Sequence, residues 1–244
     1  VNSVADIPTI VVIPAFNESA SIPAVLHSLR AVVPELDLVV VDDGSTDGTS
    51  DVVRALGVRC LTLPFNLGIG GALRTGYRYA AETGYQRAVQ FDADGQHRAD
   101  QIGLLIEALD SGAALAVGTR FAGKGDYEVG FGRRMAMRSL RLGVRMLCGR
   151  WFSDTSSGFR AVNRELLEVF ATEYPVDYMD SVETLVAASR AGYRIVEVPV
   201  AMEERSGGAP SQRPLRLLYH YARLVVALVG SSRHAFPPAD GQRG

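Results

Sequence analysis

The sequence predicts a doubly wound α/β layer on a mostly parallel sheet. Short runs rich in Val, Ile and Leu alternate with longer stretches of helical spacing over roughly the first 120 residues. These runs are continuously apolar rather than alternating, as expected of strands buried on both faces. Strands are expected over 9–13, 36–41, 60–63, 88–91 and 115–117, and helices over 21–32, 49–56, 71–83 and 99–111. Ser21 stands as an N-cap before Ile22-Pro23, with Pro early in the helix.

Beyond Gly118 the pattern loosens. Residues 123–132 are glycine-rich and read as a loop that could close over a ligand. Helices are expected over 133–147, 166–172, 182–191 and 215–229, with one strand over 193–200; Pro210 and Pro214 break the chain before the last helix. No linker divides the chain, so residues 1–232 read as a single domain. Residues 233–244, with Pro-Pro, Gly and charges, are expected to be a disordered tail.

Composition narrows the function classes. With 244 residues, 47% hydrophobic and 21% charged, the chain can bury one substantial core, which excludes a disordered or fibrous protein. A formal net charge of −2 argues against a general nucleic-acid binder. Cys60 and Cys148 alone imply no disulfide framework and fit a reducing compartment. Residues 1–7 lack the features of a secretory signal, and no run reaches the ~18–20 apolar residues that span a bilayer. A soluble or peripheral globular protein is expected.

The informative pattern is where the acids fall. In open α/β sheets ligands bind beyond the carboxyl ends of the strands. Three strand ends carry acids here: Pro14-Ala15-Phe16-Asn17-Glu18, Asp42-Asp43-Gly44-Ser45 and Asp92-Ala93-Asp94-Gly95-Gln96. Parallel strands set these ends along one edge, and clustered like charges need a compensating cation or ligand donors. A hard divalent ion such as Mg²⁺ or Mn²⁺, which also holds substrate phosphates, would supply that. The Asp92-x-Asp94 spacing lets both carboxylates reach one site. Asp47 and Asp51 read as turn formers or helix caps, whereas Asp42 fits either role.

Gly68-Ile69-Gly70-Gly71 follows a strand and precedes a helix, as a dinucleotide fingerprint would, but Leu73 stands at the third glycine position. A tight turn with close helix packing is the preferred reading, and a nicotinamide enzyme the lesser one.

Together with Thr46-Asp47-Gly48-Thr49, Asn66-Leu67-Gly68, Gly118-Thr119-Arg120-Phe121 and Asp154-Thr155-Ser156-Ser157-Gly158-Phe159-Arg160, these motifs resemble family two glycosyltransferases of the GT-A fold. Within that family the chain looks like the dolichyl-phosphate mannose synthase branch, whose members move sugar onto a polyprenyl phosphate. By that resemblance Pro14, Phe16, Glu18, Val41 and Asp43 hold the nucleotide, and Asp92 and Ala93 line the nucleotide–sugar site. Asp94, with Gln96 and Asp92, ligates Mg²⁺ or Mn²⁺ on the diphosphate, and Arg120 and Arg205 sit on the phosphates. Catalysis is carried by Asp94, Arg120 and Arg205, through a single displacement with inversion. The mannose synthases have a Lys shortly after the Arg equivalent to Arg205. This chain has none through Gln212, so the sugar and its nucleotide, UDP- or GDP-linked, stay open.

A phosphate monoester acceptor is already anionic near neutral pH and needs no strong base. An alcohol acceptor would need one, and Glu183 or Asp180 could serve. Residues 156–160 are a candidate acceptor-phosphate site or a simple turn. Trp151, Phe152, Tyr174, Tyr178, Tyr219 and Tyr221 read as packing rather than sugar platforms.

Arg134, Arg138, Arg141 and Arg145 would share one face of a helix, and Arg216, His220 and Arg223 repeat the pattern in the last one. Such C-terminal amphipathic helices suit an anionic membrane surface. The expected enzyme is therefore cytoplasmic and peripheral at the inner membrane face, with room for a membrane-protein partner and none for nucleic acid. The alternatives are a glycosyltransferase acting on a sugar or protein hydroxyl, and a catalytically silent subunit that binds nucleotide or membrane.

Overall fold

The computed structural model describes residues 7–119, 144–146, 148–155, 157–176, 180–203 and 236–239. Seven strands form one sheet: β1 (Thr9–Ala15), β2 (Asp37–Asp42), β3 (Arg59–Thr62), β4 (Arg87–Gln90), β5 (Leu115–Thr119), β6 (Arg160–Asn163) and β7 (Ile195–Pro199). Their spatial order is β3-β2-β1-β4-β6-β5-β7. The helices are α1 (Ile22–Val32), α2 (Thr49–Ala55), α3 (Ile69–Glu82), α4 (Ile102–Asp110), α5 (Arg164–Glu173) and α6 (Asp180–Arg190). A 3₁₀ turn at Ala99–Gln101 leads into α4.

The central strands β1, β4 and β5 are buried on both faces, as their unbroken apolar runs require, while the edge strand β3 is half-exposed. Ile10 and Val12 of β1 join one core with Tyr77 of α3, Phe170 of α5 and Leu185 of α6. Val11 and Ile13 join the opposite core with Leu26 of α1, Val53 of α2 and Leu105 of α4. The period-2 alternation of strand side chains thus feeds two separate layers. At Gly76 a Cβ would lie 2.3 Å from Val12 Cγ1, so glycine is what lets α3 sit this close to β1.

The sheet is mostly parallel, with one exception that periodicity did not reveal. β6 runs antiparallel to both neighbours, Ala88 facing Val162 on one side and Ala116 facing Ala161 on the other. Only four residues long, β6 ends where the Asn163 side chain accepts the Leu166 N–H at 3.0 Å and starts α5. The Ser21 position does begin α1, but its hydroxyl bonds the Glu18 carboxylate instead of capping the helix.

Within the stretch expected as a tail, Phe236 is buried, 5.8 Å from the Phe170 ring, and Ala239 N–H donates to Ala191 O at 3.1 Å. A single aromatic anchors these residues to the core despite their polar, Pro-rich surroundings. Arg120, Arg205, the loop 123–132 and the helix 215–229 lie outside the described residues. Of 133–147, residues 144–146 are described; they are helical, with Val144 buried and Arg145 exposed. Among the described residues no helix is long and apolar enough to cross a membrane.

Candidate active site

The strand order sets the ends of β2, β1 and β4 side by side at the carboxyl edge. Pro14 lies opposite Val41 and Ala15 opposite Asp42 in the register, while Val12 faces Gln90 across the other side of β1. The acids that follow β2 and β4 therefore flank the end of β1.

On the β2 side the loops are bound to one another. Asn17, in the left-handed region at φ 55°, donates its N–H to Ser45 Oγ at 2.8 Å and accepts the Thr46 N–H at 2.9 Å. Asp47 accepts the N–H groups of Ser19 and Thr49, each at 3.0 Å, and the Thr49 hydroxyl at 2.5 Å. Burial works against the charge on Asp47, but these bonds outweigh it and lower its pKa to about 2. Asp47 is thus a loop organiser, and Asp51 pairs with Arg54 at 3.3 Å on the surface. Asp42 is buried and accepts the Ser45 N–H at 3.0 Å.

Asp43 reaches the next loop. Its two oxygens accept the N–H groups of Leu67 and Gly68 at 2.7 and 2.9 Å. Burial raises its pKa, the two bonds oppose that rise, and neighbouring Asp42 adds to it. The loop N–H groups that a dinucleotide phosphate would need before α3 are occupied by this carboxylate. Gly68 has φ 84°, and a Cβ on Gly70 would lie 2.2 Å from Pro175 O. The glycines serve a tight turn and close packing.

Asp92 is held by side chains. Gln90 Nε2 donates to Asp92 Oδ1 at 3.3 Å, and the Tyr77 hydroxyl donates to Gln90 Oε1 at 3.5 Å, which sets the orientation of the amide. Gly158 packs directly on the carboxylate, where a Cβ would lie 2.6 Å from Asp92 Oδ2. Two residues on, Asp94 Oδ1 accepts the Gln96 N–H at 3.1 Å around Gly95 at φ 77°. Asp94 and Glu18 line one cavity of about 630 Å³ with Asn17, Asp47 and His97. Phe16 is exposed at the end of β1, whereas Pro14, Val41 and Ala93 are buried beneath the edge.

Asp92, Asp94 and the Gln96 amide carry hard oxygen donors, the kind that Mg²⁺ and Mn²⁺ take, and of the three Asp94 lines the cavity. Among the described residues no three His, Cys, Asp or Glu side chains converge as a closed metal cage. Oxygen donors of this kind fit a cation that a bound diphosphate would also hold.

Other candidates turn inward. Arg160, 1% exposed, donates to Ser157 O, Thr184 Oγ1 and Ser181 O, so its guanidinium braces the interior instead of facing an acceptor. Asp180, 4% exposed, accepts the Tyr174 hydroxyl at 2.7 Å, and burial raises its pKa. Phe152 and Tyr174 are buried packing residues, as expected, while Trp151 is exposed. Gln90 was not singled out in the sequence. Its alternation with Asp92 along the strand is the one signal that could have found it.

The glycosyl transferase family 2 model matches residues 10–170. Polyprenol monophosphomannose synthase of Mycolicibacterium smegmatis is 31% identical over 210 residues, covering 82% of this chain and 79% of that one. Undecaprenyl-phosphate mannosyltransferase of Micrococcus luteus is 35% identical over 206 residues, covering 81% and 84%. A crystal structure of glucosyl-3-phosphoglycerate synthase from Mycobacterium tuberculosis with Mn²⁺, UDP and phosphoglyceric acid superposes with a TM-score of 0.70 at 26% identity, covering 97% and 81%. The strand-end acids, the mixed sheet around them and these matches converge: the chain belongs to glycosyltransferase family 2 and is a nucleotide-sugar-dependent glycosyltransferase of the GT-A fold.

Proposed function

We propose that the protein transfers a sugar, with inversion, from a UDP- or GDP-linked donor to a polyprenyl phosphate at the cytoplasmic face of a membrane. The observation that carries the acceptor class is how the potential bases are used. His97 Nδ1 accepts the Asp92 N–H at 3.0 Å, and Asp180 is closed off beneath Tyr174. His97 Nδ1 and Asp180 are thus engaged, Glu183 is half-buried on α6, and a phosphate acceptor brings its own negative charge and needs no base. The names of the two mannosyl-transferring relatives support the same acceptor.

In this reading Phe16 and Glu18 contact the nucleotide over a floor made by Pro14, Val41 and Asp43, with Ala93 beneath the donor site beside Asp92. Asp94 and Gln96, with Asp92, would hold Mg²⁺ or Mn²⁺. The bound cation would neutralise the charge that develops on the departing nucleoside diphosphate. Asp43, by fixing the loop before α3, shapes the nucleotide side of the edge. Arg120 and Arg205 supply further positive charge to the phosphates. The basic stretches 133–147 and 215–229, expected from their sequence to be amphipathic, would bring the site to the anionic surface, alone or with a membrane partner.

The test is a thermal-shift series with UDP and GDP, with and without Mn²⁺ or Mg²⁺, followed by transfer of labelled sugar to polyprenyl phosphate or to an alcohol. Metal-dependent stabilisation by one nucleotide and product on the lipid phosphate are expected. Asp94→Ala should abolish the shift and slow transfer by about 100-fold or more, as when a group stabilising transition-state charge is removed. Product on the alcohol alone would move the acceptor to the hydroxyl class. Absence of any nucleotide shift and of transfer would leave a silent subunit.

A further inference from the structure

The His97 imidazole is a buried polar ring that none of the transfer steps above uses. Its side chain is 5% exposed and lies between two aromatic rings, stacked on Phe159 at 4.8 Å and edge-on to Phe91 at 5.4 Å. Nδ1 accepts the Asp92 N–H, which assigns the ring proton to Nε2. Nε2 lies 3.6 Å from Asp92 Oδ2, too long for a hydrogen bond but close enough to bias the carboxylate. The same residue pairs through its backbone with Met202, and Gln96 O accepts the Glu203 N–H at 2.9 Å.

From this geometry we infer that His97 is a positioning residue for the cation–diphosphate site. It holds the Asp92 main chain by a hydrogen bond and sits beside its carboxylate, while its backbone fastens the Asp92–Gln96 loop to residues 202–203. The inference rests on the donor-site reading given above. The loop needs such a clamp because a cation bound through few protein oxygens depends on their being held in advance. Phe159 supplies the ring's floor and Gly158, one residue earlier, the space for the carboxylate. The segment leading into β6 therefore supports the loop from the other side.

The test exploits two partial mimics. The Oδ1 of Asn falls near the place of Nδ1, whereas Phe keeps the stacked ring and removes both nitrogens. Amide hydrogen exchange at Asp92 in the unliganded protein should stay slow in His97→Asn and quicken in His97→Phe. Mn²⁺ titration by electron paramagnetic resonance, in the presence of UDP or GDP, should show binding weakened about 10–100-fold in His97→Phe, the range for losing a group that orients a metal ligand. His97→Asn should recover most of that loss. Wild-type exchange and affinity in His97→Phe would overturn the inference, as would a loss in His97→Asn equal to that in His97→Phe. If the wild type takes up no Mn²⁺ with either nucleotide, the functional reading falls. The exchange rate at Asp92 then decides the clamp by itself, and no change in His97→Phe refutes it.

Discussion

Asp43 and Asp92 follow the two strands on either side of β1 and flank its end, yet they are held in opposite ways. Asp43 spends one oxygen on each of two backbone N–H groups, those of Leu67 and Gly68, and is 3% exposed. Asp92 is held through Gln90, His97 and the bare face of Gly158, and its side chain is 28% exposed. The first carboxylate is chiefly a brace for the loops around it. The second stays partly open to a ligand and is oriented from behind. A brace gains from being saturated with N–H donors, whereas a ligand must keep lone pairs available.

The sharpest way to break this contrast is to add one methyl group. Gly158→Ala places a Cβ against the Asp92 carboxylate, and the flexible side chain yields before the backbone does. Transfer should fall by about 100-fold, the penalty for misplacing a group in the site by about 1 Å. The melting temperature should barely move. Unchanged turnover with an unchanged fold would show that the position of Asp92 is unimportant.

Stability separates the two carboxylates next. Asp43→Asn puts an amide NH₂ against one of two buried N–H donors and should cost about 1–3 kcal/mol. For a chain of this size that lowers the melting temperature by roughly 3–10 °C. Asp92→Asn keeps an oxygen for Gln90 Nε2 and should leave the melting temperature near wild type. Equal shifts in the two variants would erase the distinction.

The smallest effect is a pH dependence on the Asp43 side of the edge. The folded-state pKa of Asp47 is depressed from 3.8 to about 2. Its contribution to stability is therefore present above about pH 4 and is lost as pH falls through about 2. Asp47 is exposed, so the contribution is modest. In Asp47→Asn the acid-unfolding curve should flatten slightly between those pH values, as a circular-dichroism titration would register. A curve identical to wild type would mean that the loops of Asn17 and Ser45 hold without it.

How much of this was legible in the sequence follows the same division. The acids after β1, β2 and β4 could be placed on one edge because parallel strands joined by helices put like ends together whatever the details of packing. The turn role of Asp47 was legible for a local reason: its partner Thr49 lies two residues on, at the first position of α2. The motif run from Pro14 to Arg160 was enough to name the family, the fold and the donor class. The clamp on Asp92 was not legible. It brings together Tyr77, Gln90, His97, Gly158 and Phe159, residues from three separate parts of the chain. Their meeting depends on β6 inserting antiparallel between β4 and β5. A four-residue strand leaves almost no periodic signal, and a contact between distant segments leaves none at all. The burial of Arg160 follows from the same strand, since β6 carries it beneath the edge toward Ser181 and Thr184. The sequence by itself determined which carboxylates reach the binding edge, because topology alone decides that. Tertiary packing decided which of them is sealed as a brace and which is held open, because that choice rests on close contacts between residues far apart in the chain.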